Sequence, residues 1–314
     1  MATQKSKEQS LAVGGQALIE GVMMRDKNSM VMCVRNPKKE IVTAVEQLNP
    51  LGEKYKVLSL PFLRGIVTLF ESFYLGMKSL MFSANTALEE ETQGEGEDKG
   101  ESVTFGWGML AIIGVGVVGI MAVFFLLPFF LATWLHLEGI AFTIAEALIR
   151  LGMFVTYLAA IAQWGEFKRV LRYHGAEHKA INAYEAGVPL EVEHVRKYSR
   201  LHPRCGTSFL FIVLIISIVL FTLMPDYGYG WRIAYRILLI PVIAGISYEL
   251  LRLSGKHRNN PVSRVLTAPG MAFQLLTTKE PSDDMLEVSI AAVKKVTEIT
   301  APEGPDTISA SKRT

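Results

Sequence analysis

Three side chains able to act together lie within Tyr173-His174-Gly175-Ala176-Glu177-His178-Lys179. On a helix, His174 and His178 stand four residues apart on one face, with Glu177 three residues from His174. Two imidazoles at that spacing can hold one Zn²⁺, and the carboxylate beside them can take a proton from a water that the metal activates. The segment follows directly on an apolar run, which places this chemistry next to a bilayer.

A protein-held metal needs a further ligand. His202, in His202-Pro203-Arg204-Cys205, is the first candidate for the third position, because imidazole suits Zn²⁺ and the residue precedes another apolar run. Cys205 is the next. Glu249 can either ligate or accept a hydrogen bond from an imidazole N–H. Arg204 and Lys179 are candidates for stabilising an anionic transition state. His194, among Glu191, Glu193 and Arg196, reads as a surface residue. The H-x-x-E-H order is that of inverzincin metalloproteases, but no downstream glutamate ligand in a matching context follows.

The elements that must position these groups are mostly apolar helices. Half of the 314 residues are hydrophobic and mean hydropathy is +0.29. Phe105 to Leu131 is free of charge over 27 residues, ~40 Å of helix and enough to cross a bilayer. Further spans are expected from Gly139 to Trp164, from Ser208 to Met224, and from Ile233 to Leu251 with Pro241 inside it. Glu146 and Arg150 lie in the second span at i, i+4, the spacing of a structural ion pair. The connection 165–207 carries eight Lys and Arg and the short loops on the other side carry none. That bias puts 165–207 and both termini in the cytoplasm of a plasma (inner) membrane protein.

The expected fold is therefore mostly α: a polytopic protein with four transmembrane helices and a small cytoplasmic α+β region built from the N-terminal segment, the 165–207 loop and the C-terminal segment. Residues 1–88 form a cytoplasmic region with a β-hairpin (Met30–Arg35 and Glu40–Glu46) and an amphipathic or re-entrant helix over Pro61–Ala84. An acidic linker covers 89–104, spans one and two 105–164, and the histidine-containing loop 165–207. Spans three and four cover 208–251. The cytoplasmic C-terminal region, 252–299, is expected to hold a strand at Met271–Thr278 and an amphipathic helix at Met285–Val296. A disordered tail covers 300–314.

Several function classes drop out. Gly114, Gly116 and Gly119 spell G-x-G-x-x-G inside an apolar span, with no preceding strand and no acidic ribose ligand, so they read as small residues for helix packing. No aromatic-interleaved basic patch points to nucleic acid. The basic loop residues suit anionic lipid headgroups. Cys33 and Cys205 are too few for a disulfide framework, and no cleaved signal peptide is expected. A membrane-protein partner and a homo-oligomer are both compatible with the pattern.

The chain resembles the YqhQ-like family of bacterial membrane proteins, with relatives in chloroplasts. The resemblance rests on Gly14-Gly15-Gln16-Ala17-Leu18-Ile19-Glu20-Gly21-Val22-Met23-Met24-Arg25, the His174 and His202 segments, Ala244-Gly245-Ile246-Ser247-Tyr248-Glu249, Pro269-Gly270 and Leu276-Thr277-Thr278-Lys279-Glu280-Pro281. It implies a metal-dependent enzyme in which the Gly-Gly segment, the two histidine segments and the Thr-Thr segment work together on the cytoplasmic side, with Glu20 and Arg25 nearby. Two readings follow. One is a metal-dependent hydrolase with His174, His178 and His202 as ligands and Glu177 as general base, acting on a membrane protein segment or a lipid-linked compound. The other is a non-enzymatic scaffold or regulator that binds a partner protein, a lipid headgroup or a regulatory metal.

Overall fold

The computed structural model describes residues 13–88, 107–224, 228–256 and 260–300. The expected linker and tail lie outside these residues, apart from Thr300, which closes the last helix.

The chain opens with a four-stranded antiparallel meander: β1 (Gly14–Leu18), β2 (Gly21–Arg25), β3 (Ser29–Arg35) and β4 (Ile41–Gln47). The expected hairpin is β3–β4, with Val31 opposite Val45. Its turn closes where Asn36 Oδ1 accepts the Glu40 N–H at 2.8 Å. The first two strands were not anticipated. Both β2 and β3 are buried on both faces, so they lack the polar alternation that marks a half-exposed strand.

Short α1 (Leu51–Lys54) leads to α2 (Leu63–Leu88), the amphipathic helix expected over 61–84. Its charges are all engaged: Arg64 with Glu249, Lys78 with Glu46, and Glu71 with the Leu51 N–H. Helices α3 (Trp107–Trp134) and α4 (Gly139–Ile161) follow. The stretch expected to be a loop is then mostly helix, α5 (Gly165–Glu185) and α6 (Val192–Val195). Beyond it lie α7 (Gly206–Leu223), α8 (Tyr229–Leu238), α9 (Ile240–Lys256), α10 (Pro261–Thr277) and α11 (Asp283–Thr300).

Among the described residues, three helices, within α3, α4 and α7, are long and apolar enough to cross a membrane, and α8 with α9 makes a fourth if counted as one broken span bent by 41°. The break falls at Leu239, just before Pro241, whose missing N–H and fixed φ suit the first turn of a new helix. Ile112 and Val115 of α3 are each 74% exposed. A surface of that kind suits hydrocarbon better than water. The glycines of α3 at 114, 116 and 119 have nothing within 4 Å of where a Cβ would stand, so among the described residues no neighbour packs against them.

One expectation is overturned outright. Residues 271–277 are the end of α10 and Thr278 is its C-cap, so Met271–Thr278 is not a strand. Asn260 caps that helix through Val262 N–H and Pro261 occupies its first turn, a start signal that outweighs the β-branched look of its last residues.

The sheet is covered on both faces. Val22, Met24, Val31 and Cys33 join α5 and α11 in the main core. Leu18, Met23, Met30, Met32 and Val34 pack against Leu75, Leu80 and Phe82 of α2. In the helical bundle, Glu146 takes Arg150 at 2.6 Å and, from α8, Arg236 at 2.6 Å. The expected pair is thus a triad. It is closed by Phe129 and Phe221, whose rings lie 4.7 and 5.0 Å from the Arg236 guanidinium.

Candidate metal centre

Helix α5 carries the H-x-x-E-H residues on its buried side. It is clamped there from the sheet side by β1 and α11 and on the other side by the chain that leaves α10. Lys279 N–H donates to Leu171 O at 2.9 Å. Gly175 sits at this crossing, where a methyl group would collide with the Lys279 carbonyl oxygen. The loop after α6 is tied to the same helix. Lys179 Nζ donates to Arg196 O at 2.8 Å, and Asn182 Nδ2 donates to Ser199 O and Leu201 O.

These ties bring two carbonyls to the two imidazoles. His174 Nδ1 lies 2.8 Å from Thr277 O, and His178 Nδ1 lies 2.6 Å from Arg200 O. A carbonyl only accepts, so each Nδ1 carries the proton and each Nε2 is left to face inward. His174 Nε2 lies 3.3 Å from Cys205 Sγ. The ligand atoms of His174, His178 and Cys205 all lie within 4.8 Å of one another. Zn–N bonds of about 2.0–2.1 Å and Zn–S of about 2.3 Å put two tetrahedral ligands roughly 3.5 Å apart, so this donor set fits one ion with small adjustment. Imidazoles tied through Nδ1 to backbone carbonyls are the arrangement in which metal-binding histidines are usually held.

Burial pushes the His178 imidazole below its ordinary pKa, with the Cys205 sulfur opposing. Cys205 takes the N-cap position of α7 and accepts from the Thr207 hydroxyl at 3.4 Å. Glu177 is buried among these groups. Desolvation raises its pKa, opposed by His174, His202 and a hydrogen bond from the Gly15 N–H. Gly15 is required at this approach: β1 passes so close that a Cβ on it would stand 3.0 Å from Glu177 Oε1.

The other expected site residues are placed less centrally. His202 neighbours the cluster, its ring 5.8 Å from that of His178, but its Nε2 turns to Glu185 Oε1 at 3.5 Å. Gln274 grips its backbone in both directions at 2.8 Å. Cys205, the second choice from sequence, holds the position expected for His202. Glu249 is not among the grouped ligand atoms and makes a two-pronged pair with Arg64. Arg204 pairs with Glu185 and Lys179 with Glu280, so neither points to the Nε2 atoms. His194 lies half exposed beside Glu191, as expected. Glu20 binds Arg169 and lies 3.4 Å from the Tyr173 hydroxyl, which burial raises in pKa. Arg25 donates to Ser72 at 2.9 Å. The resemblance gave Gly15 and Thr277 only as members of the Gly-Gly and Thr-Thr segments, without roles, and sequence reasoning missed Arg200; all three act through backbone atoms and leave no side-chain signature.

Residues 60–299 match the family described as protein of unknown function (DUF1385). The chain is 36% identical over 302 residues to the uncharacterized protein YqhQ of Bacillus subtilis (strain 168), covering 92% of this chain and 93% of that protein. No solved structure matches the chain. The chain belongs to the DUF1385 family.

Proposed function

We propose that this member of the DUF1385 family is an integral plasma-membrane protein, with both termini cytoplasmic, and a metal-dependent hydrolase acting at the cytoplasmic face on a membrane-associated substrate. The observation that carries the reading is the pair of Nδ1–carbonyl bonds at His174 and His178, which aim both Nε2 atoms at Cys205 Sγ. The orientation is supported by the Lys and Arg of 165–207.

His174, His178 and Cys205 would hold the ion, Zn²⁺ by the chemistry of two imidazoles and a thiolate. Three protein ligands are the number typical of catalytic rather than structural zinc, and a bound Zn²⁺ supplies Lewis acidity and a nucleophile at neutral pH. Thr277 and Arg200 fix the imidazole tautomers through their carbonyls. Glu177 is the general base, with its carboxylate steadied by the Gly15 N–H.

Elemental analysis of detergent-purified protein tests the reading. Wild type is expected to hold about one zinc per chain. His174→Ala, His178→Ala and Cys205→Ala should lose it, while His202→Ala, Glu249→Gln and Glu177→Gln keep it. Metal-free wild type, or metal retained in Cys205→Ala, would overturn the reading.

A further inference from the structure

A cavity of about 300 Å³ lies between α2, α3, α4, α7, α9 and α10. It begins one helical turn from the candidate centre at two points. Phe209 on its wall is four residues beyond Cys205 along α7, and Phe273 is four residues before Thr277 along α10, about 6 Å in each case. It extends along α7 to Ser217, twelve residues and about 18 Å from Cys205.

The wall is almost wholly hydrocarbon and aromatic. Its polar side chains are Arg150 and Ser217, and both bond within the protein: Arg150 to Glu146 and Phe124 O, Ser217 to Leu214 O. An extended peptide laid here would bring N–H and C=O groups to a wall that has nothing set aside for them, and a helical one, which bonds its own backbone, is about 10–12 Å across with its side chains and too wide for a void of about 300 Å³. A hydrocarbon chain meets no such penalty, and each methylene it buries is favourable.

We infer that this cavity holds one hydrocarbon chain of the substrate while the polar head lies at the His174–His178–Cys205 centre. The substrate class is then an amphiphilic lipid rather than a transmembrane peptide. The inference rests on the proposed hydrolase reading for the head, and on the cavity for the tail.

The test uses full-length protein in nanodiscs containing phosphatidylglycerol with a diazirine midway along one acyl chain, with labelled residues mapped by mass spectrometry. Labels are expected on α7 between Phe209 and Ser217 and on α10 at Phe273. Leu214→Trp and Ala244→Phe fill the void and should cut this labelling about tenfold, the equivalent of one to two expelled methylenes. Labelling at the outward-facing Val115 should persist, as should metal content and elution volume. Labelling of the α7 interior that is no stronger than at Val115, that survives both variants, or that is displaced by an unlabelled transmembrane peptide but not by unlabelled lipid, would overturn the inference. The two readings fail separately. Metal-free protein with a labelled cavity removes the centre and leaves the chain pocket, and metal-loaded protein with an unlabelled cavity removes the pocket alone.

Discussion

Gly14 and Gly15 are adjacent, in one strand and chemically identical, yet replacing each by alanine should give opposite results. A Cβ on Gly14 meets nothing within 4 Å. A Cβ on Gly15 would stand 2.5 Å from Met23 O, 2.8 Å from Met24 Sδ and 3.0 Å from Glu177 Oε1. Ordinary contact begins near 3.4 Å, so the Met23 carbonyl is too close by 0.9 Å. Met23 lies in β2 between two paired strands and cannot recede, so β1 must lift away and weaken the Gly15 N–H bond to Glu177. Overpacking of this kind costs about 1–3 kcal/mol, and a weakened hydrogen bond adds about 0.5–1.5 kcal/mol. Gly15→Ala should therefore lose roughly 2–4 kcal/mol. At about 2–4 °C per kcal/mol for a large chain, that is a drop in melting temperature of roughly 5–15 °C. Gly14→Ala should be neutral or slightly stabilising, because alanine restricts the unfolded chain. Intrinsic fluorescence melts of the two variants in the same detergent make the comparison. Equal melting temperatures would refute the close approach of β1 to α5, and with it the account of how Glu177 is held.

Two further outcomes follow from buried charge and a buried thiol. Glu146→Ala leaves Arg150 and Arg236 facing each other in the bundle, a loss of about 3–5 kcal/mol that should abolish recovery of monodisperse protein; Glu146→Ala with Arg150→Leu and Arg236→Leu should restore it. Burial raises the Cys33 thiol above its ordinary value of 9.0, opposed by the Thr43 hydroxyl. A raised folded-state value gives stability that is complete below the unfolded pKa and lost as pH climbs through the folded one. Wild type should therefore lose melting temperature more steeply above pH 9 than Cys33→Ala does, and parallel pH profiles would remove that account.

The chemistry-bearing residues and the bundle were legible because their signals are local. A spacing of four, a charge-free run and a proline inside a span can each be read without knowing the fold. What was missed depends on contacts distant in sequence. Cys205 rather than His202 groups with His174 and His178; Gln274, 72 residues on, holds the His202 backbone to α10, and the His202 ring faces Glu185. Glu249 looked like a ligand by depth in its helix, but Arg64, 185 residues earlier, claims it. The second strand was hidden because burial on both faces erases alternation, and the first, Gly14–Leu18, opens on two glycines and shows no alternation of buried and exposed residues. The end of α10 was misread from its last residues, while its start signal at Asn260-Pro261 lay a full helix upstream.

The family resemblance implied that four distant segments work together, and the geometry gives that implication a physical form. His174, Glu177 and His178 belong to α5, which is packed into the sheet and α11. Cys205 and Thr277 belong to the ends of α7 and α10 in the apolar bundle. The candidate centre is thus made of atoms from both halves, and neither half contains it alone. The ties across the boundary are specific: Lys279 N–H to Leu171 O, Arg200 Nη1 to Thr278 O at 2.6 Å, and Arg172 Nε to Glu280 O at 3.1 Å. All three converge on residues 278–280, directly after the Thr277 carbonyl that sets the His174 tautomer. A shift of that short segment changes the register of α5 against α10 and the aim of His174 Nε2 in one movement. That is a physical reason for the Thr277-Thr278-Lys279-Glu280-Pro281 segment to be as specific a feature of the chain as the histidines themselves.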